Sequence, residues 1–249
     1  MSLNFFSLPS EVRNTIYELI LLSEEPIDPY VYYHPLQDFT PGLFRANKAV
    51  HREACSLLYA QNCFDFTSRT LDDIVSFLTQ IGRYNASYIR HIYIDFPKFK
   101  SLEAGSITLE DDSDFILATI QSDCPNLQTL KTSLGSTNAM ELRLDAQDTP
   151  KILGEALKLV DTRFRASSSL QEITVEAYED APSDQLRREM RDCGWKISIA
   201  ENVEGVGSDR SFDDYDYDDF VYHGYEYDDY GYDEYDLDND SDFWRRAGD

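Results

Sequence analysis

Basic charge is what this chain has least of. Against 47 Asp and Glu stand 22 Lys and Arg, a formal net charge of −25 over 249 residues. Affinity for duplex DNA and anionic membranes comes from Lys and Arg neutralising phosphate. No basic stripe or Arg-rich segment is present, so direct binding to nucleic acid or to a membrane is not expected. Long apolar runs are missing too: no window reaches the roughly 18 residues that a membrane span needs. The opening Met-Ser-Leu-Asn-Phe-Phe, with Glu11 and Arg13 close behind, lacks the basic region and apolar run of a secretion signal. The four cysteines, Cys55, Cys63, Cys124 and Cys193, form no C-x-x-C pair and fit no zinc framework. They read as scattered core thiols in a reducing compartment, which predicts an intracellular protein, cytoplasmic or nuclear.

Catalytic signatures are absent as well. The sequence holds no H-E-x-x-H, G-x-S-x-G, G-x-G-x-x-G or P-loop. His34, His51, His91 and His223 have no partner at a metal or triad spacing. Glu110, Asp111, Asp112 and Asp114 cluster just before a predicted helix. There, carboxylates suit the positive end of the helix dipole, and the spacing and glycine of an EF-hand are missing. The expectation is therefore a non-catalytic chain with no cofactor and no metal.

What is present is a helical start, a run of alternating helices and strands, and an acidic end. Val12, Ile16, Leu19 and Ile20 recur at helical spacing within a predicted helix from Pro9 to Leu22, and are expected to form its buried face. Residues 23–40 hold Pro26, Pro29 and Pro35 and read as a loop, with a short edge strand at Tyr30–Tyr33. From Pro41, apolar positions through Leu58 predict two consecutive helices or one bent one, and Cys63–Phe66 a strand. Four helix–strand units follow: Leu71–Ile81, with Gly82 as C-cap, then Ile89–Phe96; Asp111–Cys124 then Leu127–Ser133; Thr149–Arg165 then Leu170–Ala177; Ser183–Cys193 then Trp195–Ala200. Repeated α-then-β units predict an α/β fold with a mostly parallel sheet. The strand entries IRHIYIDF, CPNLQTLKTSL and SLQEITVEA are weakly similar to leucine-rich repeats, with an irregular period.

The expected division is a helical segment at 1–66, an α/β body at 67–207 and a disordered acidic tail at 208–249. Residues 209–249 hold 16 acidic and 3 basic residues, and eight of the chain's 17 tyrosines. Such charge opposes collapse. The tail admits three readings. It is a solubiliser, a run of tyrosine phosphorylation sites, or a bait for basic proteins such as histones. In the last, carboxylates meet a basic surface while Tyr215, Tyr217, Phe220, Tyr225, Tyr227, Tyr230, Phe243 and Trp244 supply apolar and cation–π contacts.

Ser7-Leu8-Pro9-Ser10-Glu11-Val12-Arg13 with Ile16-Tyr17-Glu18-Leu19 resembles the opening of an F-box-like domain. Its second half is similar to Leu43-Phe44-Arg45-Ala46-Asn47-Lys48, Arg52-Glu53-Ala54 and Leu57 through Phe66. Together, over about residues 5–66, these resemble the fungal F-box-like proteins. Two departures stand out: the insertion at Ser23–Thr40, and no Trp late in the segment, since both Trp195 and Trp244 lie elsewhere. The resemblance implies an adaptor. The helical segment would dock a Skp1-type subunit of a cullin ubiquitin ligase through Leu8, Pro9, Val12, Ile16, Leu43 and Phe44, and the α/β body would select the substrate. Two alternatives stand beside it: those apolar residues hold the helices to the body, or the tail binds basic proteins, chaperone-like, with no ligase link.

Overall fold

A computed structural model describes residues 5–30, 43–146, 150–179 and 182–200. By its contacts the chain divides into Met1–Asn202 and Val203–Asp249, and all described residues lie in the first unit. The expected acidic tail and most of the expected strand at Tyr30–Tyr33 fall outside the described residues.

Helix α1 spans Ser10–Leu21, with Pro9 at its N-cap and Glu11 in its first turn. Its extent is as expected, but its inward face is not. The buried side chains are Tyr17 and Leu21, while Val12, Leu19 and Ile20 are 43%, 82% and 37% exposed and Ile16 is half-buried. Tyr17 and Leu21 each follow one residue after Ile16 and Ile20, about 100° round the helix. The rotation has a cause in the next helix, α2, Lys48–Gln61. Its Glu53 accepts hydrogen bonds from Arg13 Nε (3.0 Å), Arg13 Nη2 (2.6 Å) and Tyr17 Oη (3.0 Å). A bidentate charge-assisted pair is more directional than apolar contact, and it turns the Arg13–Tyr17–Leu21 stripe inward. Residues 43–46 are helical, and Asn47 separates them from α2 in an extended conformation, its side chain accepting from the N–H groups of Ala49 and Val50. The second stretch is therefore two consecutive helices.

Strand β1 (Cys63–Asp65) opens a five-stranded sheet in the order β1-β2-β5-β6-β7. Its other strands are β2 (His91–Ile94), β5 (Thr129–Thr132), β6 (Glu172–Ala177) and β7 (Lys196–Ile199), and every pairing is parallel. Ile27 forms a parallel bridge with Phe64 on the outer side of β1. Helices α3 (Leu71–Ala86), α4 (Asp111–Asp123), α6 (Pro150–Phe164) and α7 (Asp184–Asp192) connect the strands. The strand order never reverses, and parallel crossovers are right-handed, which places the crossover helices on one face. Burial agrees: Phe64, Ile92, Leu130, Ile173 and Val175 are buried on that face. The alternate positions Asp65, His91, Tyr93, Lys131 and Glu172 are only partly covered.

Two elements have no counterpart in the sequence reading. An antiparallel hairpin, β3 (Phe99–Glu103) with β4 (Ser106–Leu109), turns at Gly105, whose φ of 80° lies in the left-handed region. Helix α5 (Leu134–Asp145) leaves the end of β5, capped by Ser133. At Gly82, the expected C-cap, the backbone leaves the helical region (φ 76°), yet α3 resumes beyond it to Ala86.

Candidate functional site

The helical pair is fastened on its inner side at three points. The first is the Arg13–Glu53–Tyr17 network, in which Arg13 Nη1 also donates to the carbonyl of Leu8 at 2.8 Å. The second is the buried cluster of Tyr17, Leu21, Val50, Ala54 and Leu57. The third is Asn62, 1% exposed. Its Nδ2 donates to the carbonyls of Leu21 and Leu58, and its Oδ1 accepts from Ser23 N–H. Hydrogen bonding to Arg13 holds the Glu53 carboxyl below its ordinary range. Burial, then the bond to Glu53, pushes the Tyr17 phenol up to about 12, so it remains a donor at neutral pH. Asn47, Glu53, Ala54 and Asn62, all in the F-box-like pattern, thus cap, clamp and pack the helices.

The six expected docking residues fall into two groups. Pro9 and Val12 are exposed on α1, with Leu8 and Ile16 half-buried. Leu43 and Phe44 pack against the inner cluster, and the Phe44 ring meets His51 at 5.9 Å. The outward side of α1 also carries Leu19, with Ile20 partly exposed at its flank, residues that helical spacing alone assigns to a core. The i, i+4, i+8 stripe of Arg13, Tyr17 and Leu21 was the available signal for the inward face, since Arg and Tyr together call for an acidic partner such as Glu53. The eight tail residues Tyr215, Tyr217, Phe220, Tyr225, Tyr227, Tyr230, Phe243 and Trp244 lie outside the described residues.

Two cavities adjoin at the C-terminal ends of β1, β2 and β5. One, of about 580 Å³, is walled by Tyr93, Phe96, Phe99, Leu134 and Met140, with Lys98 and Arg143 also lining it. At its polar end Asp95 accepts from Ser133 Oγ (2.7 Å) and Ser68 N–H (2.8 Å), and Ser136 Oγ accepts from Phe96 N–H (2.7 Å). The other, of about 590 Å³, is lined by Arg69, Asp72, Glu110, Asp112, Ile116 and Leu117. Ser68 and Asp95–Lys98 line both. Ser133 and Asp95 bond directly, with no histidine among the described lining residues.

Cys55 and Cys124 are buried and Cys63 and Cys193 half-buried, and none of the four is in a disulfide. Burial pushes the Cys63 thiol up to about 11 and the Cys124 thiol up to about 12, far from the thiolate that reactivity requires. Among the described residues no group of three or more His, Cys, Asp or Glu is placed to hold a metal, and no helix is long and apolar enough to cross a membrane. In the carboxylate cluster, Asp111 pairs with Lys100 and Asp114 with Arg163.

No family model matches this chain, and no curated protein and no solved structure matches it either.

Proposed function

We propose that this chain is a non-catalytic protein-binding adaptor, docking a Skp1-type subunit through the outward face of α1 and presenting its sheet body to a client. The observation that carries this reading is the exposure of Val12 and Leu19 on a helix whose opposite side is already clamped, with Ile16 and Ile20 partly exposed at the flank between the two faces. A contiguous apolar surface that folding does not use marks an interaction site. The resemblance of residues 5–66 to F-box-like domains supplies the kind of partner. The unreversed strand order of the body supports the leucine-rich-repeat-like reading, in which helix–strand units stack in one direction.

The test is a pull-down of the full chain with a purified Skp1-type subunit, comparing wild type with Val12→Asp, Leu19→Asp and Ile16→Asp. Leu19 is the decisive position, because at 82% exposure its substitution leaves the fold intact. Ile16 is half-buried and needs a circular-dichroism control. Binding by wild type and loss in Leu19→Asp support the adaptor. No binding by wild type overturns it and moves the search to the acidic residues 208–249 and basic proteins.

A further inference from the structure

The two adjoining cavities carry opposite and unspent charge. Lys98 and Arg143 line the first, and neither has an ion-pair partner among the described residues. In a chain with a net charge of −25, two idle cations at one cavity are a local reversal of the prevailing sign. The wall between them is aromatic and aliphatic, and Asp95, the one carboxylate present, is occupied by Ser133 and Ser68. The matching ligand group is therefore an apolar side chain beside a carboxylate. The second cavity is acidic on balance. Asp72, Glu110 and Asp112 line it, none in an ion pair among the described residues, beside Arg69, which is paired with Asp28, and the shared Asp95 and Lys98, so it suits a basic side chain.

The cavities share the stretch Asp95–Lys98. A ligand filling both is longer than a small acid and changes character along its length, basic at one end and apolar with a carboxylate at the other. A polypeptide C-terminus has that form. The geometry points to this double cavity as a recognition site for the C-terminal end of a client protein. The last, apolar residue enters between Phe96, Phe99 and Met140, its free carboxylate meets Arg143 and Lys98, and a Lys or Arg a few residues upstream faces Asp112 and Glu110. Guanidinium–carboxylate pairing is charge-assisted and directional, and the apolar wall excludes water from it.

This inference rests on the protein-binding reading but is tested without the Skp1-type subunit, so the two fail separately. The full chain is immobilised and offered two hexapeptide pools with a degenerate centre, Lys or Arg at the first two positions and Phe, Tyr, Leu or Met at the last. The pools differ only in ending as carboxylate or as amide. Retained peptides are read by mass spectrometry, and the most enriched is titrated by fluorescence polarisation. The expected result is at least tenfold preference for the carboxylate. General attraction to an acidic chain works the other way, because the amide pool is the more cationic. Gly135→Trp and Arg143→Glu are each expected to weaken binding at least tenfold. A Cβ at Gly135 meets no atom within 4 Å, and Arg143 is exposed on the last turn of α5, so both variants fold. Asp112→Lys is expected to abolish the preference for upstream basic residues while keeping the preference for the carboxylate. Equal retention of the two pools, no retention of either, or binding indifferent to Gly135→Trp and Arg143→Glu overturns the inference. Competition by N-acetylphenylalanine as effective as the peptide itself overturns the peptide claim and assigns the site to small acids.

Discussion

In the α1–α2 pair the apolar cluster is small, namely Tyr17, Leu21, Val50, Ala54 and Leu57, and polar groups complete the attachment through Glu53 and Asn62. In the sheet body a continuous cluster runs from Ile27 to Trp195 through every strand of the sheet but the edge strand β7, whose Ile197 packs against it only partly buried. The body is held by burial, the helical pair by a small core and a clamp. A region clamped in this way has no structural use for the apolar side chains on its far face, and α1 keeps Val12 and Leu19 there.

The largest effects should come from removing a buried side chain in each region, and they should differ in reach. Tyr17→Ala empties a fully buried site and is expected to cost about 3–5 kcal/mol, the range for large aromatic truncations. Ile92→Ala, at a fully buried position of the central sheet, is expected to cost about 2–5 kcal/mol. In hydrogen exchange, Tyr17→Ala should expose the amides of α1 and α2 and leave those of β2, β5 and β6 protected, whereas Ile92→Ala should lower protection throughout the sheet. Equal loss in both regions from either variant would show that the helical pair and the sheet open as one unit.

This contrast also explains what was legible in the sequence. Parallel helix–strand units were readable because burial dominates there, and alternation such as Ile92, Ile94 against His91, Tyr93 translates directly into faces. The inward face of α1 was misread because a polar clamp set it. Counting apolar spacing credits Val12, Ile16, Leu19 and Ile20 and gives Arg13 no weight. Helix α5 escaped notice because its first turn is Leu-Gly-Ser-Thr and its apolar positions are irregular. The β3–β4 hairpin was hidden because it lies inside a crossover, its only punctuation being Gly105. The double cavity was not readable at all. Lys98, Asp112 and Arg143 come from the β2–β3 connection, α4 and α5, and line adjoining cavities only because the parallel strands end together.

A smaller effect isolates the clamp itself. Tyr17→Phe keeps the aromatic ring in the cluster and removes one hydrogen bond to Glu53. The expected cost is about 0.5–1.5 kcal/mol, measured by urea denaturation and confined in hydrogen exchange to α1 and α2.

Acid should separate the regions further, with opposite signs. The Glu53 carboxyl is held low by its hydrogen bonds to Arg13. Its contribution is therefore fully present above the ordinary glutamate value of about 4.5 and is lost as pH falls through the lowered one. Glu141, on α5, is buried and pushed up by that burial, although it accepts from Ser183 N–H at 2.8 Å. The cost of its charge is full above its raised pKa and is relieved as pH falls toward about 4.5. Exchange rates corrected for intrinsic chemistry should show α5 gaining protection between neutrality and pH about 4.5, and α1 losing it only at lower pH. Glu53→Gln should flatten the second response and leave the first.

The smallest change in stability belongs to the face that folding does not use. Leu19→Ser alters a side chain that is 82% exposed, and its effect on urea denaturation should stay within about 0.5 kcal/mol. If the outward face of α1 is the docking surface, the same substitution weakens binding to the Skp1-type subunit severalfold, because a central apolar anchor contributes more to an interface than its exposure contributes to the fold. Stability and binding then respond to different sides of one helix, Tyr17→Phe moving the first and Leu19→Ser the second. A Leu19→Ser variant that loses as much stability as Tyr17→Phe would place Leu19 in a core after all and erase the distinction between the two faces.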